Sequence, residues 1–177
     1  MTPASEPFVA EELDALARVT ELPVDVDIAA MAVIANVWRA AQEARAQLER
    51  RVLRPEGVSW GGFSLLLHLW ISGPDHPMEI RALAVSIGCA RPSVSSLCDT
   101  LERDGLIRRE GDANDRRLVR VALTWSGRSL IEELFPRFNA GEAELVGGLS
   151  EDDRQLLAAL LRRLLRSIRS GEPAAAP

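Results

Sequence analysis

The stretch from Asp115 to Gly127, with the sequence DRRLVRVALTWSG, decides the fold of this 177-residue chain. Apolar residues recur at every second position from Val119 to Leu123, and a two-residue period is typical of a short, half-buried strand. The turn-forming residues 111–115, GDAND, precede this strand, and Leu106 to Arg109 can form its partner. We therefore predict a β-hairpin over residues 106–123, with arginines on both sides of its tip.

The segment before the hairpin has the pattern of two helices joined by a tight turn. The first helix is predicted over Met78–Ile87 and the second over Arg91–Asp104. Gly88 suits the left-handed end of the first helix, and Pro92 is tolerated in the first turn of the second. Because an isolated hairpin is only marginally stable, it must pack against these helices. A helix-turn-helix followed by a basic hairpin is a winged helix, in which the second helix can enter the DNA major groove and the wing can reach phosphates and the minor groove.

The spacing of the wing residues resembles the signature of the MarR family of regulators. The pattern is Asp115-x-Arg117-x-x-x-Val121-x-Leu123-Thr124-x-x-Gly127, and the chain fills every fixed position of it. The resemblance extends over roughly residues 25–170. It implies a homodimer that binds a pseudo-palindromic operator, acts as a repressor, with activation as the alternative, and responds to a small aromatic ligand. Recognition helices of such a dimer enter successive major grooves about 34 Å apart.

The predicted DNA-binding residues lie on the second helix and on the wing. Short hydroxyl side chains beside a leading arginine suit close approach to phosphates and base edges. The resemblance implies that Arg117 enters the minor groove and that Asp115 braces it. The alternative is a solvated helix face and a surface ion pair at the turn, worth about 0–1 kcal/mol. The predicted contacts are Arg91, Ser93, Ser95, Ser96, Thr100, Arg116, Arg117 and Arg120.

Further predictions concern Asp99, Thr124 and Trp125. Asp99 is an acid on the outward face of the second helix, and it either accepts from cytosine N4 or braces a nearby arginine. Thr124 is predicted to follow the strand end at Leu123 and to cap the next helix. Trp125 is predicted to pack.

A small aromatic ligand is implied by the resemblance at the junction of the dimer helices with the winged domain. The residues that would line it are Trp38, Phe63, His68 and Trp70. Aromatic rings with one titratable group can form such a pocket. The alternative is that these side chains, Trp38, Phe63 and His68 above all, belong to the ordinary core.

Long helical patterns flank the winged segment. A helix is predicted over 26–53, with Asp25 or Asp27 as its N-cap, and an apolar central helix over 60–72. After Gly127 another helix begins, which Pro136 should kink or break. A wide leucine stripe within 154–168 follows, and we expect it to pack with the helix 26–53 and with a second subunit.

The sequence therefore predicts a mainly α chain with a small β-hairpin wing. Its expected parts are an N-terminal extension with a short helix (1–24), a dimerisation helix (25–57), the winged helix-turn-helix domain (58–127), C-terminal dimerisation helices (128–170) and a tail (171–177).

Charge is distributed unevenly along the chain. The formal net charge is −5 and the pI is near 5.2, which disfavours nucleic-acid binding if the chain is taken as a whole. Residues 78–128, however, hold nine arginines and seven acidic residues, a net charge of +2 that leaves −7 for the remainder. A basic segment at the wing is the electrostatic footprint of a DNA-binding surface. The acidic pI leaves an alternative function, a winged-helix protein-interaction module without specific DNA binding.

Several classes of protein are disfavoured. The apolar run near Phe63–Ile71 is too short to span a bilayer, and the N-terminus lacks the features of a secretory signal. We therefore expect a cytoplasmic protein. No nucleotide loop, catalytic triad or metal-ligand cluster is present in the sequence, so we expect neither an enzyme nor a cofactor. Cys89 and Cys98 have no CxxC spacing and are expected to be free thiols.

Overall fold

The computed structural model describes residues 18, 26–74, 76–111 and 119–170, and the chain forms two compact units, Met1–Ala46 and Gln47–Pro177. The described residues are mainly helical with a three-stranded antiparallel sheet, which confirms the predicted fold class. The helices are α1 (Ile28–Leu48), α2 (Trp60–Ser72), α3 (Ile80–Ile87), α4 (Arg91–Arg103), α5 (Trp125–Leu145) and α6 (Glu151–Ser170), and the strands are β1 (Met78–Glu79), β2 (Ile107–Gly111) and β3 (Val119–Leu123).

Helix α1 begins after Asp27, whose carboxylate accepts from the Ala30 N–H at 2.8 Å, so Asp27 is the N-cap. The helical segment extends to Leu53, where this helix was predicted to end, but its last five residues, Glu49–Leu53, form one turn of π-helix. A short 3-10 helix, Arg54–Glu56, follows, and Pro55 within it has no N–H to continue the ladder of the longer helix. The chain then turns at Gly57, which has a φ of 67°.

Helix α2 is the centre of the core of the second unit. The Ser59 hydroxyl caps it by accepting from the Gly62 N–H at 3.1 Å. Phe63, Leu65 and Leu66 are at most 2% exposed, and the Phe63 ring stacks on Phe138 of α5 with 4.3 Å between ring centroids. The apolar pattern of this helix therefore predicted its burial correctly.

The helix-turn-helix consists of α3 and α4, joined at Gly88 with a φ of 66°. Val94 and Cys98 on the inner face of α4 are fully buried. The prediction that α3 starts at Met78 was wrong, because Met78 and Glu79 form β1 and pair with Val121 and Arg120 of β3. A two-residue strand is too short to show an alternating pattern.

The sheet has the order β1-β3-β2. Strands β2 and β3 pair from Ile107↔Leu123 to Gly111↔Val119, which confirms the hairpin. Ile107 and Val121 face the core. The tip, residues 112–118, lies outside the described residues.

Helix α5 starts at Trp125, directly after its N-cap Thr124, and continues through Pro136 to Leu145 without a break. The prediction that Trp125 packs was wrong, since its side chain is 82% exposed. Helix α6 is capped by Ser150, whose hydroxyl accepts from the Asp153 N–H at 3.2 Å. None of the residues of α6 is buried.

Candidate DNA-binding surface

Helix α4 presents a polar, exposed face on the side away from its buried residues. Arg91, Ser93, Ser96 and Thr100 are all exposed on it, and the Thr100 hydroxyl donates to the Ser96 carbonyl at 3.2 Å. Ser95 is half-buried. The structure therefore brings the predicted contacts of α4 together on one accessible surface, with Ser95 at its edge.

Arg109, which was not among the predicted site residues, joins α4 to the wing. From β2, the Arg109 guanidinium contacts the carboxylates of Glu102 and Asp99, each at 2.7 Å. Its backbone N–H donates to the second Glu102 oxygen at 3.1 Å, and Nη2 donates to the Ser95 carbonyl at 3.4 Å. The hydrogen bond to Asp99 is the main reason why the pKa of Arg109 is raised.

This contact corresponds to one of the two roles predicted for Asp99. The carboxylate braces an arginine, and that arginine is Arg109. The sequence held part of the signal, because Asp99 and Glu102 are three positions apart and therefore share a helix face. The sequence did not show whether Arg108 or Arg109 would lie on the side of the hairpin that faces α4.

Arg120 occupies an acidic setting at the middle of the sheet. Its paired positions are Glu79 on β1 and Glu110 on β2, and its Nε atom is buried. On β2, Arg108 contacts Glu110 at 2.6 Å and donates to the Leu123 carbonyl at 2.6 Å. The base of the wing is thus a mixed-charge network, whereas Asp115, Arg116 and Arg117 at its tip lie outside the described residues.

The Thr124–Gly127 part of the signature fixes the base of the wing to the end of α4. The Thr124 hydroxyl donates to the Gly105 carbonyl at 2.7 Å and accepts from the Gly127 N–H at 3.0 Å. The Thr124 N–H donates to the Leu106 carbonyl at 3.1 Å. A Cβ on Gly127 would overlap this Leu106 carbonyl oxygen and lie 2.8 Å from its carbon. These contacts confirm that Thr124 is a structural cap, and they explain the glycine.

The comparisons with known proteins agree with this geometry. The sequence model of the MarR family matches residues 58–119. A Bacillus subtilis protein described as an uncharacterized HTH-type transcriptional regulator, YwaE, is 37% identical over 155 residues, which is 87% of this chain and 89% of that protein. The chain belongs to the MarR family. Members of this family are transcriptional regulators that bind DNA through a winged helix, and they are not enzymes.

Two solved structures of the MarR fold are informative about DNA and ligands. MepR from S. aureus, solved as a DNA complex, is 28% identical, and the match covers 75% of this chain and 96% of that one with a TM-score of 0.68. BpsR from Bordetella bronchiseptica, whose DNA binding is regulated by 6-hydroxynicotinic acid, is 25% identical. The match covers 75% of this chain and 98% of that one, with a TM-score of 0.68.

The residues predicted to line a ligand site have different surroundings in this MarR family protein. Phe63 is 2% exposed and stacked in the core. His68 is half-buried, and its Nδ1–H donates to the Ser64 carbonyl at 2.8 Å. The Trp70 indole donates to Glu132 at 3.2 Å and lies 5.5 Å from the Phe135 ring. In the other unit, Trp38 is 65% exposed.

A cavity of about 150 Å³ lies elsewhere in the second unit, where the chain segment after α2 meets the base of the wing. Leu69 is the one residue of α2 that lines it, so none of the four predicted ligand residues does. Arg108, Trp125 and Arg128 contribute polar and aromatic surface to it. Within the described residues, no helix has the length and apolar character needed to cross a membrane.

Proposed function

We propose that this MarR family protein is a homodimeric repressor that binds a pseudo-palindromic operator and is released from it by a small aromatic ligand. The observation that carries the proposal is the exposed face of α4, with Arg91 and three hydroxyl side chains, beside an antiparallel hairpin.

Helix α4 is the proposed recognition helix. Arg91 in its first turn can form paired hydrogen bonds with a phosphate or with guanine, and the hydroxyls of Ser93, Ser96 and Thr100 can bind either phosphates or bases. Ala90, at the N-cap, offers no side-chain acceptor to the first N–H groups of the helix. An uncapped N-terminus favours a nearby phosphate.

The wing supplies the second set of proposed contacts. Arg117 enters the minor groove, Asp115 positions it and Arg116 binds a phosphate; this assignment rests on the family signature. For Arg120, whose neighbours in the sheet are Glu79 and Glu110, we propose a phosphate contact that is weaker than those at the tip.

The proposed homodimer covers apolar residues that are exposed in the single chain. Large exposed patches of this kind mark protein interfaces. Two copies related by a two-fold axis present two α4 helices, which matches the symmetry of a palindromic site. Repression is proposed on the expectation that a dimer bound at such a site overlaps the promoter and excludes the polymerase. The exposed residues are Ile28, Val33, Ile34 and Trp38 on α1, and Leu156, Leu157, Leu160, Leu165 and Ile168 on α6.

Release by a ligand follows the precedent of BpsR, whose DNA binding is regulated by 6-hydroxynicotinic acid. A ligand changes DNA affinity only as far as it binds the DNA-free and DNA-bound conformations differently. Trp38 on α1, and His68 and Trp70 on α2, remain the proposed ligand contacts, whereas Phe63 is buried in the core.

The test is a fluorescence-anisotropy titration against the duplex upstream of the protein's own gene, at two salt concentrations. Arg117→Ala should weaken binding by about 10–100-fold. Arg163→Ala, the same change at an exposed position on α6, should leave binding unaltered. Affinity for this duplex no higher than for a shuffled duplex, together with the same result for promoter fragments across the genome, would overturn the proposal.

A further inference from the structure

We infer that Arg109 is a positioning residue for DNA binding, which neutralises two carboxylates on the recognition helix and fixes that helix to the wing. The inference rests on the proposed role of α4 in DNA binding. It assigns part of the affinity of this helix for DNA to Arg109 on β2.

The carboxylates concerned lie on or beside the surface that DNA would approach. The Asp99 side chain is 67% exposed and the Glu102 side chain 38% exposed. Asp99 stands between Ser96 and Thr100 in the exposed part of α4. Without a counter-charge, both groups would repel phosphates, and like charges brought together across an interface oppose binding strongly.

Arg109 is well placed to cancel this repulsion. Its Nη2 atom contacts Asp99 and its Nη1 atom contacts Glu102, both at 2.7 Å. The Arg109 side chain itself is only 27% exposed, and both terminal nitrogens are bonded to carboxylates. Its contribution to DNA binding therefore acts through Asp99 and Glu102 and not through a phosphate.

The same contacts fix the angle between the helix and the hairpin. Arg109 bonds to three successive positions along one side of α4, through the Ser95 carbonyl, Asp99 and Glu102. Beneath this side, Cys98 is fully buried, and the contact is therefore backed by apolar packing. A helix held in this way approaches DNA in the orientation that the wing imposes.

Arg108 provides a matched control on the same strand. It carries the same charge and is one residue away, but its partners are Glu110 and the Leu123 carbonyl, both within the hairpin. Loss of net positive charge is identical in Arg108→Met and Arg109→Met. Only the second variant leaves Asp99 and Glu102 without their shared counter-charge.

The experiment compares DNA affinity of four chains by anisotropy at low and moderate salt, with thermal unfolding measured for each. Arg109→Met should bind about tenfold more weakly than wild type or worse, and Arg108→Met should lose less. Adding Asp99→Asn and Glu102→Gln to Arg109→Met removes the repulsion but not the loss of the helix–wing contacts, so it should recover a measurable part of the lost affinity, about threefold or more.

Two outcomes would overturn the inference alone: wild-type affinity in Arg109→Met, or a triple variant that folds and binds as weakly as Arg109→Met, which would show that the uncompensated carboxylates do not cause the loss. A wild-type chain that binds no duplex would refute the proposed function and this inference with it.

Discussion

Replacing Gly127 by alanine adds one methyl group at the point where α5 leaves the wing. The added Cβ would overlap the carbonyl oxygen of Leu106 and lie 2.8 Å from its carbonyl carbon. This obstacle is backbone, and the same carbonyl accepts from the Thr124 N–H at 3.1 Å. The methyl group can therefore be accommodated only if the β3–α5 junction moves away from the end of α4.

The size of the effect follows from three contributions. Alanine within a helix is favoured over glycine by about 0.5–1 kcal/mol. Forcing a methyl group into a filled site costs about 1–3 kcal/mol, and occasionally more. Weakening the Thr124–Leu106 hydrogen bond costs about 1 kcal/mol. The net expectation is a loss of about 2–3 kcal/mol, which lowers Tm by about 5–10 °C for a chain of this size.

Thermal unfolding followed by circular dichroism, at one fixed protein concentration, measures this change. Gly141→Ala in the same helix is the control. There the added Cβ would lie 2.8 Å from the terminal Cδ2 of Leu48, a flexible group that can rotate away, so we expect a change of less than about 1 kcal/mol. A Gly127→Ala variant with an equal or higher Tm than wild type would show that helix propensity governs this position and that the close approach does not.

Four further predictions concern Thr124, the two cysteines and helix α6. Thr124→Val removes the hydroxyl that bonds Gly105 and Gly127 and should destabilise the fold by about 1–2 kcal/mol in urea unfolding. Thr124→Ser keeps the hydroxyl and should retain most of this stability. Equal losses in both variants would contradict the role of the hydroxyl as a cap. In native protein a disulfide reagent should modify the exposed Cys89 and not the buried Cys98, with both reacting in denaturant. Burial raises the pKa of the Cys98 thiol, so the contribution of this thiol to stability is present below the ordinary thiol pKa and declines as pH rises towards the pKa in the folded state. Wild type should therefore lose more stability than Cys98→Ala between about pH 8 and 10. Parallel pH profiles of the two proteins would contradict this prediction. Leu160→Glu on the apolar face of α6 should halve the mass measured by sedimentation equilibrium while Arg163→Glu should not, and a Leu160→Glu variant with wild-type mass would argue against that interface.

The sequence predicted those features that local chemistry controls. The alternation in Val119–Leu123 predicted the strand, and the hydroxyl of Thr124 predicted a helix cap. The apolar character of α2 predicted its burial. In each case the residues that determine the structure lie within one turn or one strand of each other.

The features that were not predicted depend on contacts between distant segments. Strand β1 exists because Met78 meets Val121 across the fold, and Arg109 acquires its role because β2 lies against α4. Trp125 was expected to pack because it is large and apolar, yet its position at the first turn of α5 leaves it exposed. The π-helical turn at Glu49–Leu53 likewise has no signature in side-chain periodicity.

The two-residue strand β1 also sets the boundaries of any portable DNA-binding segment. Residues 78–79 join the start of α3 to β3, and Thr124 and Gly127 join β3 to the end of α4. A chimaera that exchanges only α4 and the hairpin would separate β3 from its natural partners in both the β1 pairing and the Thr124 contacts. A transplant that starts ahead of the cap at Ser59 and extends past Gly127 carries the sheet, the contacts of Thr124 and helix α4 together, and it gives protein engineers a natural pair of junctions.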